Sequence, residues 1–243
     1  EYRGTTSIGI AMFGGQHENP DKLLMQADIA MYQAKAAGRN VIRFFSPDLQ
    51  NTLDSRVETE NDLHLAIERE QFSLHYQPQW DNGSLVGAEA LIRWNHPERG
   101  VVVPGDFIPL AEESGYVVAL DAWVLEQSVQ EAARWLAMDM PVKVSVNVSA
   151  LEFRQPDFVD RLKSVLEASG LPAQWLELEL TESILLQEAQ EMALRVHQIA
   201  ELGVGLVIDD FGTGYSCLAN LKDIHAAKLK LDRAFATALP DDP

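Results

Sequence analysis

The amino-acid sequence predicts an α/β fold in which parallel strands form a TIM-like (β/α) barrel, on three observations. Strand-like and helix-like segments alternate from residue 71 to the end of the chain. The later strands recur at intervals of about 30 residues, which is typical of the βα units of such a barrel. Six strand-like segments are present. Because a barrel of this type has eight strands, we expect it to be truncated after the sixth strand.

The segment at residues 1–46 predicts a small β-α-β unit ahead of the barrel. Apolar strands span residues 7–13 and 41–45. Between them, Asn19 favours the N-cap of a helix, and Gly38 favours its end. The unit is too small to bury a core of its own, so we expect it to be the remnant of a larger domain or to dock on the rest of the chain.

The segment at residues 47–70 predicts a charged, amphipathic helix that links this unit to the barrel. Apolar residues recur every four positions from Leu49 onward, which places them on one face of a helix. A connecting helix is the favoured interpretation, and a coiled coil that carries a signal between domains is the alternative. The barrel domain then occupies residues 71–243.

The barrel domain alternates two kinds of apolar pattern. Short apolar runs predict strands, and apolar residues at helical spacing predict helices that cover the outside of a parallel sheet. The predicted strands are residues 72–76, 85–94, 142–148, 176–180, 205–208 and 228–231. The predicted helices are residues 119–138, 156–168, 187–202 and 216–222.

The charge balance excludes one broad class of function. With 19 basic and 37 acidic residues, the formal net charge is −18. Because such an acidic surface repels phosphate backbones, we expect no nucleic acid polymer as a partner. A small phosphate ligand stays compatible with this charge, because a bound metal reverses the local field.

Several features bear on the location of the chain. Cys217 is the only cysteine, which excludes an internal disulfide and fits a reducing, cytoplasmic compartment. The sequence has no run of ~20 apolar residues and no signal-peptide pattern. It does not begin with Met, so we expect it to be cut from a longer protein. That parent could still be anchored in a membrane.

Polar side chains stand at the ends of successive predicted strands. A carboxylate, an amide, a carboxylate, a pair of carboxylates and an amine follow one another: Glu89, Asn147, Glu179, Asp209 with Asp210, and Lys230. The carboxyl ends of the strands of a barrel converge on one mouth. One acid at a strand end is usually a helix N-cap or a solvated loop residue, but four consecutive strands with oxygen ligands are much less expected by chance.

Several carboxylates at one mouth repel each other unless a cation lies among them. Oxygen ligands favour Mg²⁺ or Mn²⁺. Adjacent aspartates at one strand end would allow a carboxylate to bridge two metals, as in phosphodiester hydrolysis, and a nearby lysine would orient water or stabilise anionic charge. The sequence therefore predicts a metal site at the mouth.

A set of short motifs resembles a known family. The motifs are Tyr76-Gln77-Pro78, Glu89-Ala90-Leu91, Arg93-Trp94, Asn147-Val148-Ser149, Glu179-Leu180-Thr181-Glu182, Asp209-Asp210-Phe211-Gly212-Thr213-Gly214 and Leu229-Lys230-Leu231-Asp232-Arg233. With them, residues 71–243 resemble an EAL-type cyclic di-GMP phosphodiesterase domain. Residues 5–46 resemble the end of a GGDEF-type diguanylate cyclase domain, on Ser7-Ile8-Gly9-Ile10-Ala11 and on matching stretches between Ala27 and Asn40.

The resemblance implies an enzyme of bacterial second-messenger signalling that hydrolyses cyclic di-GMP to linear pGpG with two Mg²⁺ or Mn²⁺ ions. It also implies a role for each matching residue. The first metal would be held by Glu89, Asn147, Glu179 and Asp209, and the second by Asp209 and Asp210, with Asp209 bridging. Lys230 would contact the water between the metals, Arg93 a ligand phosphate, and Gln77, Leu91 and Asp232 the dinucleotide. Glu182 would steady the loop after Asp210.

The match is incomplete at the end of the chain. The family carries a Glu-Gly-Val-Glu motif and a later Gln-Gly motif, and neither follows Lys230. We therefore expect an incomplete second metal site and slower hydrolysis by these residues alone. A non-catalytic receptor for cyclic di-GMP and a scaffold that only forms a homodimer are the alternatives. The intact ligand positions favour the enzyme, for which a homodimer is also expected.

Overall fold

The computed structural model describes residues 5–14, 19–36, 38–186, 189–212 and 227–231. The chain divides into two compact units, Glu1–Asp62 and Leu63–Pro243. The domain boundaries predicted from the sequence, at residues 46 and 70, stay predictions. In the described ranges, no helix combines the length and the apolar character that a membrane span requires.

The first unit contains the predicted β-α-β arrangement. Strands β1 (Ile8–Ile10) and β2 (Ile42–Phe44) pair in parallel, and helix α1 (Pro20–Ala36) connects them. Asn19 accepts a hydrogen bond from the Asp21 N–H at 2.9 Å, as an N-cap residue does. Helix α1 crosses β1 so closely that a Cβ on Gly9 would lie 2.1 Å from the Ala27 carbonyl oxygen. Only glycine fits at this crossing.

Within the described residues, the second unit contains a seven-stranded sheet. Its order is β3-β4-β6-β7-β8-β9, with β5 paired to β4. The neighbours from β4 to β9 are parallel. Over the described ranges the sheet is open and does not close into a barrel. Its parallel strands have the α/β architecture that the sequence predicts. The strands are β3 (Phe72–Asp81), β4 (Ser84–His96), β5 (Gly100–Val102), β6 (Lys143–Asn147), β7 (Leu176–Thr181), β8 (Gly205–Phe211) and β9 (Lys228–Leu231).

The predicted parallel sheet was wrong for β3, which is antiparallel to β4. The short strand β5, which the sequence analysis did not predict, is also antiparallel to β4. β3 and β4 form a hairpin around Asn82 and Gly83, whose φ angles are 46° and 80°. Positive φ at both turn residues is the type I′ geometry that an Asn-Gly pair favours. β3 also runs past Pro78, beyond its predicted end at residue 76, because an edge strand tolerates a missing N–H.

Helices cover the sheet as the alternation predicts. Helix α2 (Pro47–Ala66) precedes the sheet, and the others are α3 (Pro104–Ser114), α4 (Val117–Ala137), α5 (Ala150–Phe153), α6 (Phe158–Ser169), α7 (Glu182–Leu186) and α8 (Ala189–Leu202), with a 3₁₀ turn at Ala173–Trp175. The sequence missed α3, α5 and α7, and the helix that it predicts at 216–222 lies outside the described residues. Trp94 is fully buried and donates to the Gln71 side chain, so its ring belongs to the core.

Candidate active site

Four parallel strands bring the predicted polar residues together, from the middle of the long strand β4 and from the carboxyl ends of β6, β7 and β9. Glu89 on β4 lies beside Ser145 on β6, and Asn147 at the end of β6 pairs with Glu179 on β7. β9 adds Lys230 from the other side of β8. Side chains on one face of a strand recur every second residue, so this register aims all four at the same side of the sheet.

A chain of hydrogen bonds connects these four residues. The Lys230 ammonium donates to Glu89 Oε2 at 2.7 Å and to Glu179 Oε2 at 2.5 Å. The Asn147 side-chain amide donates to Glu89 Oε1 at 2.9 Å. We call Glu89, Asn147, Glu179 and Lys230 the mouth cluster. Its members are up to 141 positions apart in the sequence, and the strand order alone brings them into contact.

Burial and hydrogen bonding compete in the electrostatics of the mouth cluster. The Glu179 side chain has no exposed surface, and its Oε1 is buried and has no hydrogen-bond partner among the described residues. Burial raises the pKa of Glu179, and nearby Glu89 and Asp209 add to this rise, which outweighs the opposing contacts with Lys230. Burial alone would lower the pKa of Lys230, but its hydrogen bonds to Glu179 and Glu89 reverse this and raise it.

The paired aspartates follow at the end of β8. The Asp210 N–H donates to Asp209 Oδ1 at 2.9 Å, and Asp210 has a left-handed φ of 53°. Glu182 Oε2 accepts from the Gly212 N–H at 3.0 Å. The acid that the sequence analysis placed in a supporting role thus binds the backbone just beyond the aspartate pair. Its role stays a prediction, and this contact supports it.

The residues predicted to bind the substrate occupy different positions. Gln77 is exposed and pairs with Glu89 across the β3–β4 hairpin. Leu91 and Arg93 lie on the same face of β4 as Glu89, because side chains alternate along a strand. The Arg93 guanidinium donates to the carbonyl of its neighbour Ile92 at 2.8 Å. The predicted contact residue Asp232 lies outside the described residues.

A cavity of about 400 Å³ opens beside the mouth cluster. Strand residues Leu91, Asn147 and Glu179 form one wall, and apolar residues of helices α3 and α4 form the other. A mostly apolar hollow with a few convergent polar groups is typical of a small-molecule site. Sequence reasoning missed α3 and therefore this wall, although Pro104 at its first turn and Gly115 as its left-handed cap are ordinary helix signals.

A second charged group lies on the same side of the sheet, one strand repeat from the mouth. Glu177 is buried, and its carboxylate accepts from Lys143 at 3.2 Å, from Lys228 at 2.6 Å and from the Ser145 hydroxyl at 3.3 Å. We call Lys143, Ser145, Glu177 and Lys228 the floor cluster. The sequence analysis missed this cluster. Each member lies two or four residues before a predicted site residue on the same strand, so the two-residue period of a strand places it on the same face as the site.

The residues of the mouth fit a hard divalent cation by the chemistry of their donors. Carboxylate and amide oxygens are the ligands that Mg²⁺ and Mn²⁺ favour. The unpartnered buried oxygen of Glu179 is an acceptor that no group in the described ranges uses. In those ranges, no three His, Cys, Asp or Glu side chains stand in an arrangement that could hold a metal, and the Lys230 ammonium supplies the positive charge between Glu89 and Glu179.

Comparison with known proteins places this geometry in a family. The profile of the EAL domain matches residues 60–243, and that of "Diguanylate cyclase, GGDEF domain" matches residues 1–41. The bifunctional diguanylate cyclase/cyclic di-GMP phosphodiesterase MucR of Pseudomonas aeruginosa is 40% identical over 245 residues, which cover 100% of this chain and 36% of that protein. The cyclic di-GMP phosphodiesterase PdeR of Escherichia coli is 37% identical over 240 residues, with 98% of this chain and 36% of that protein covered.

Solved structures agree with the sequence matches. The structure titled "PaMucR Phosphodiesterase, c-di-GMP complex" has a TM-score of 0.73 and 41% identity, and the match covers 76% of each chain. The EAL enzyme Bd1971 in its cAMP and cyclic di-GMP bound form has a TM-score of 0.72 and 30% identity, over 93% of this chain and 60% of that one. This chain spans about a third of the length of the curated relatives named above. The chain therefore belongs to the EAL domain family, and a segment that matches the GGDEF domain precedes its EAL domain.

Proposed function

We propose that the chain is a metal-dependent phosphodiesterase that hydrolyses cyclic di-GMP to linear pGpG. The mouth cluster carries this proposal, because it gathers two carboxylates, an amide and an amine beside a ligand-sized cavity. Relatives named as cyclic di-GMP phosphodiesterases, one of them solved with cyclic di-GMP bound, support the choice of substrate.

The proposed site would hold two cations on the oxygens of five residues. Glu89, Asn147, Glu179 and Asp209 would hold the first, and Asp209 with Asp210 the second. When bound, Mg²⁺ or Mn²⁺ supplies Lewis-acid stabilisation of the phosphate and a more acidic water.

The other residues of the proposed site bind and orient. The Lys230 ammonium contacts the buried carboxylate of Glu179 and the half-buried carboxylate of Glu89, and would stabilise anionic charge at the mouth. Arg93 offers a planar cation to a substrate phosphate, and Gln77, Leu91 and Asp232 would contact the dinucleotide. Glu182 fixes the backbone after Asp210 through the Gly212 N–H.

The proposal is tested by turnover of cyclic di-GMP in Mn²⁺, followed by chromatography of pGpG. We expect Glu89→Ala to abolish product, because it removes a cation ligand and the acceptor for both Asn147 and Lys230. Glu98→Ala is the matched control, since Glu98 is an exposed acid on the β4–β5 turn. Unchanged turnover in Glu89→Ala would discard the assignment.

A non-catalytic receptor for cyclic di-GMP is the second candidate, and one observation favours it. Lys230 forms ion pairs with both Glu89 and Glu179 and so balances part of the negative charge of the mouth cluster. Calorimetric binding of cyclic di-GMP in a chelator, with no pGpG formed in Mn²⁺, would select the receptor. The homodimer and the cytoplasmic location stay proposals, and sedimentation analysis of the chain tests the first of them.

A further inference from the structure

Asp121 is an acid at the cavity for which the proposed chemistry has no use. It lies one turn into helix α4 and is partly buried. Its side chain lines the same cavity as Glu112, Asn147 and Glu179. No motif of the sequence analysis includes it. An acid in this position needs a structural or chemical explanation of its own.

The carboxylate of Asp121 binds the turn that follows β6. Its Oδ2 accepts from the Ser149 N–H at 2.9 Å. The Ser149 hydroxyl in turn accepts from the Glu152 N–H at 3.2 Å and so caps helix α5. One residue earlier, the Val148 N–H donates to the Glu179 carbonyl at 3.0 Å. The turn is thus held from β7 by a backbone bond and from α4 by one side chain.

We propose that Asp121 is a positioning residue for the mouth cluster. By binding the Ser149 N–H, Asp121 fixes the position of Asn147, two residues before Ser149. The Asn147 side chain donates to Glu89, so a turn that drifts would carry one predicted ligand away from another. The consequence for catalysis rests on the proposed function. Loss of such an outer partner typically reduces metal affinity or activity by about 10–100-fold.

The charge around Asp121 shows that the contact is kept at a cost. Burial raises the pKa of Asp121 to about 7, hydrogen bonds from Ser149 oppose this rise, and Glu152 and Glu112 add to it. Glu179 faces the same cavity from β7. An apolar side chain would avoid this cost but would leave the Ser149 N–H without its acceptor, so the hydrogen bond is the function that the acid serves.

Two variants separate the acceptor from the charge. Asp121→Asn keeps an acceptor oxygen of the same size and removes the charge, whereas Asp121→Leu removes the acceptor and fills the volume. Glu126→Gln and Glu126→Leu are the matched controls, because Glu126 is an exposed acid five residues later on the same helix. Each variant is compared with the unmodified chain for melting temperature, Mn²⁺ affinity by calorimetry, and kcat and KM for cyclic di-GMP.

A spectroscopic readout completes the design. Amide exchange at Ser149 and the NMR signals of the Asn147 side-chain amide report the order of the turn directly, whatever the activity. We expect Asp121→Leu to weaken Mn²⁺ binding and to lower kcat/KM by about 10–100-fold, with faster exchange at Ser149 and no fall in melting temperature. We expect Asp121→Asn and both Glu126 variants to stay within about threefold of the unmodified chain.

Two results would overturn the inference. The first is an Asp121→Leu chain with unchanged Ser149 exchange and unchanged Asn147 signals. The second is an Asp121→Asn chain as impaired as Asp121→Leu, which would assign the effect to charge instead of to the acceptor. If the unmodified chain forms no pGpG, the proposed function fails, and the exchange and NMR measurements still decide the role of Asp121.

Discussion

Replacement of Glu177 by glutamine tests whether the floor cluster stabilises the sheet. Glu177 accepts hydrogen bonds from two lysines and a serine on the strands beside it and one strand beyond. A hydrogen bond to a charged group contributes about 1.5–3 kcal/mol. Both lysine side chains are 42% exposed, so water compensates part of the loss. We expect Glu177→Gln to lower the free energy of unfolding by about 2 kcal/mol at pH 7, or about 4–8 °C in Tm.

The pH dependence of this difference identifies its cause. Burial alone would raise the pKa of Glu177, but hydrogen bonds from Lys228 and Lys143 outweigh burial and hold it below its ordinary value of 4.5. The unfolded chain therefore binds more protons just below that pH, so the stabilisation is complete above 4.5 and is lost as the pH falls through the folded pKa.

Urea unfolding of the chain and of Glu177→Gln, at several pH values from 3 to 7, measures this difference. Glu167→Gln is the control, because Glu167 is exposed and its ion pair with Lys163 is long, at 3.9 Å. We expect the control to change the free energy of unfolding by less than about 0.5 kcal/mol. Equal stability of Glu177→Gln and the unmodified chain at pH 7, or a deficit that persists unchanged in acid, would refute the reasoning.

Three further predictions concern single residues. Burial raises the pKa of Asp121 to about 7, so between about pH 4 and 7 the folded chain binds a proton that the unfolded chain does not. The free energy of unfolding therefore falls by at most about 4 kcal/mol over this range, and calorimetry should show that Asp121→Asn removes this fall. Arg93→Ala should raise KM for cyclic di-GMP with little change in Tm, because the one hydrogen bond described for the Arg93 guanidinium goes to the adjacent Ile92 carbonyl. A lower Tm with an unchanged KM would show that the role of Arg93 is structural. Gly9→Ala should unfold the β1–α1 crossing, because its Cβ would overlap the Ala27 carbonyl oxygen, and unchanged proteolysis of residues 5–46 would contradict this.

Much of the mouth cluster could be predicted because its signals are local. A polar residue at the end of an apolar strand is visible in a single sequence, and parallel strands bring their ends to one edge. Glu89, Asn147, Glu179 and Lys230 were expected together on that basis, and the structure brings them into contact. The positions of these residues along the strands do not predict which side chains form ion pairs. In the structure, Lys230 lies between Glu89 and Glu179 and contacts both.

The features that were missed depend on contacts or on signals that were outweighed. Asn82-Gly83 is a strong hairpin signal, but the expectation of a parallel sheet left it unused. Glu177 looks like an ordinary strand residue until Lys143 and Lys228 are known to flank it, which only the strand order shows. Asp121 is likewise an unremarked acid of an amphipathic helix, and its partner Ser149 lies 28 residues away.

The proposed activity of the mouth cluster, cleavage of cyclic di-GMP with a divalent cation, can be tested in one assay. The most direct measurement follows the formation of pGpG over time in three reactions, each with protein in excess over cyclic di-GMP. The unmodified chain is assayed in Mn²⁺ and in Mn²⁺ with excess EDTA, and the Glu179→Gln variant is assayed in Mn²⁺. We expect pGpG with Mn²⁺ alone, none in EDTA, and at least ~100-fold slower formation by the variant, a loss of about 2.7 kcal/mol in transition-state stabilisation. Hydrolysis that continues in EDTA, or a Glu179→Gln chain as fast as the unmodified one, would contradict the account.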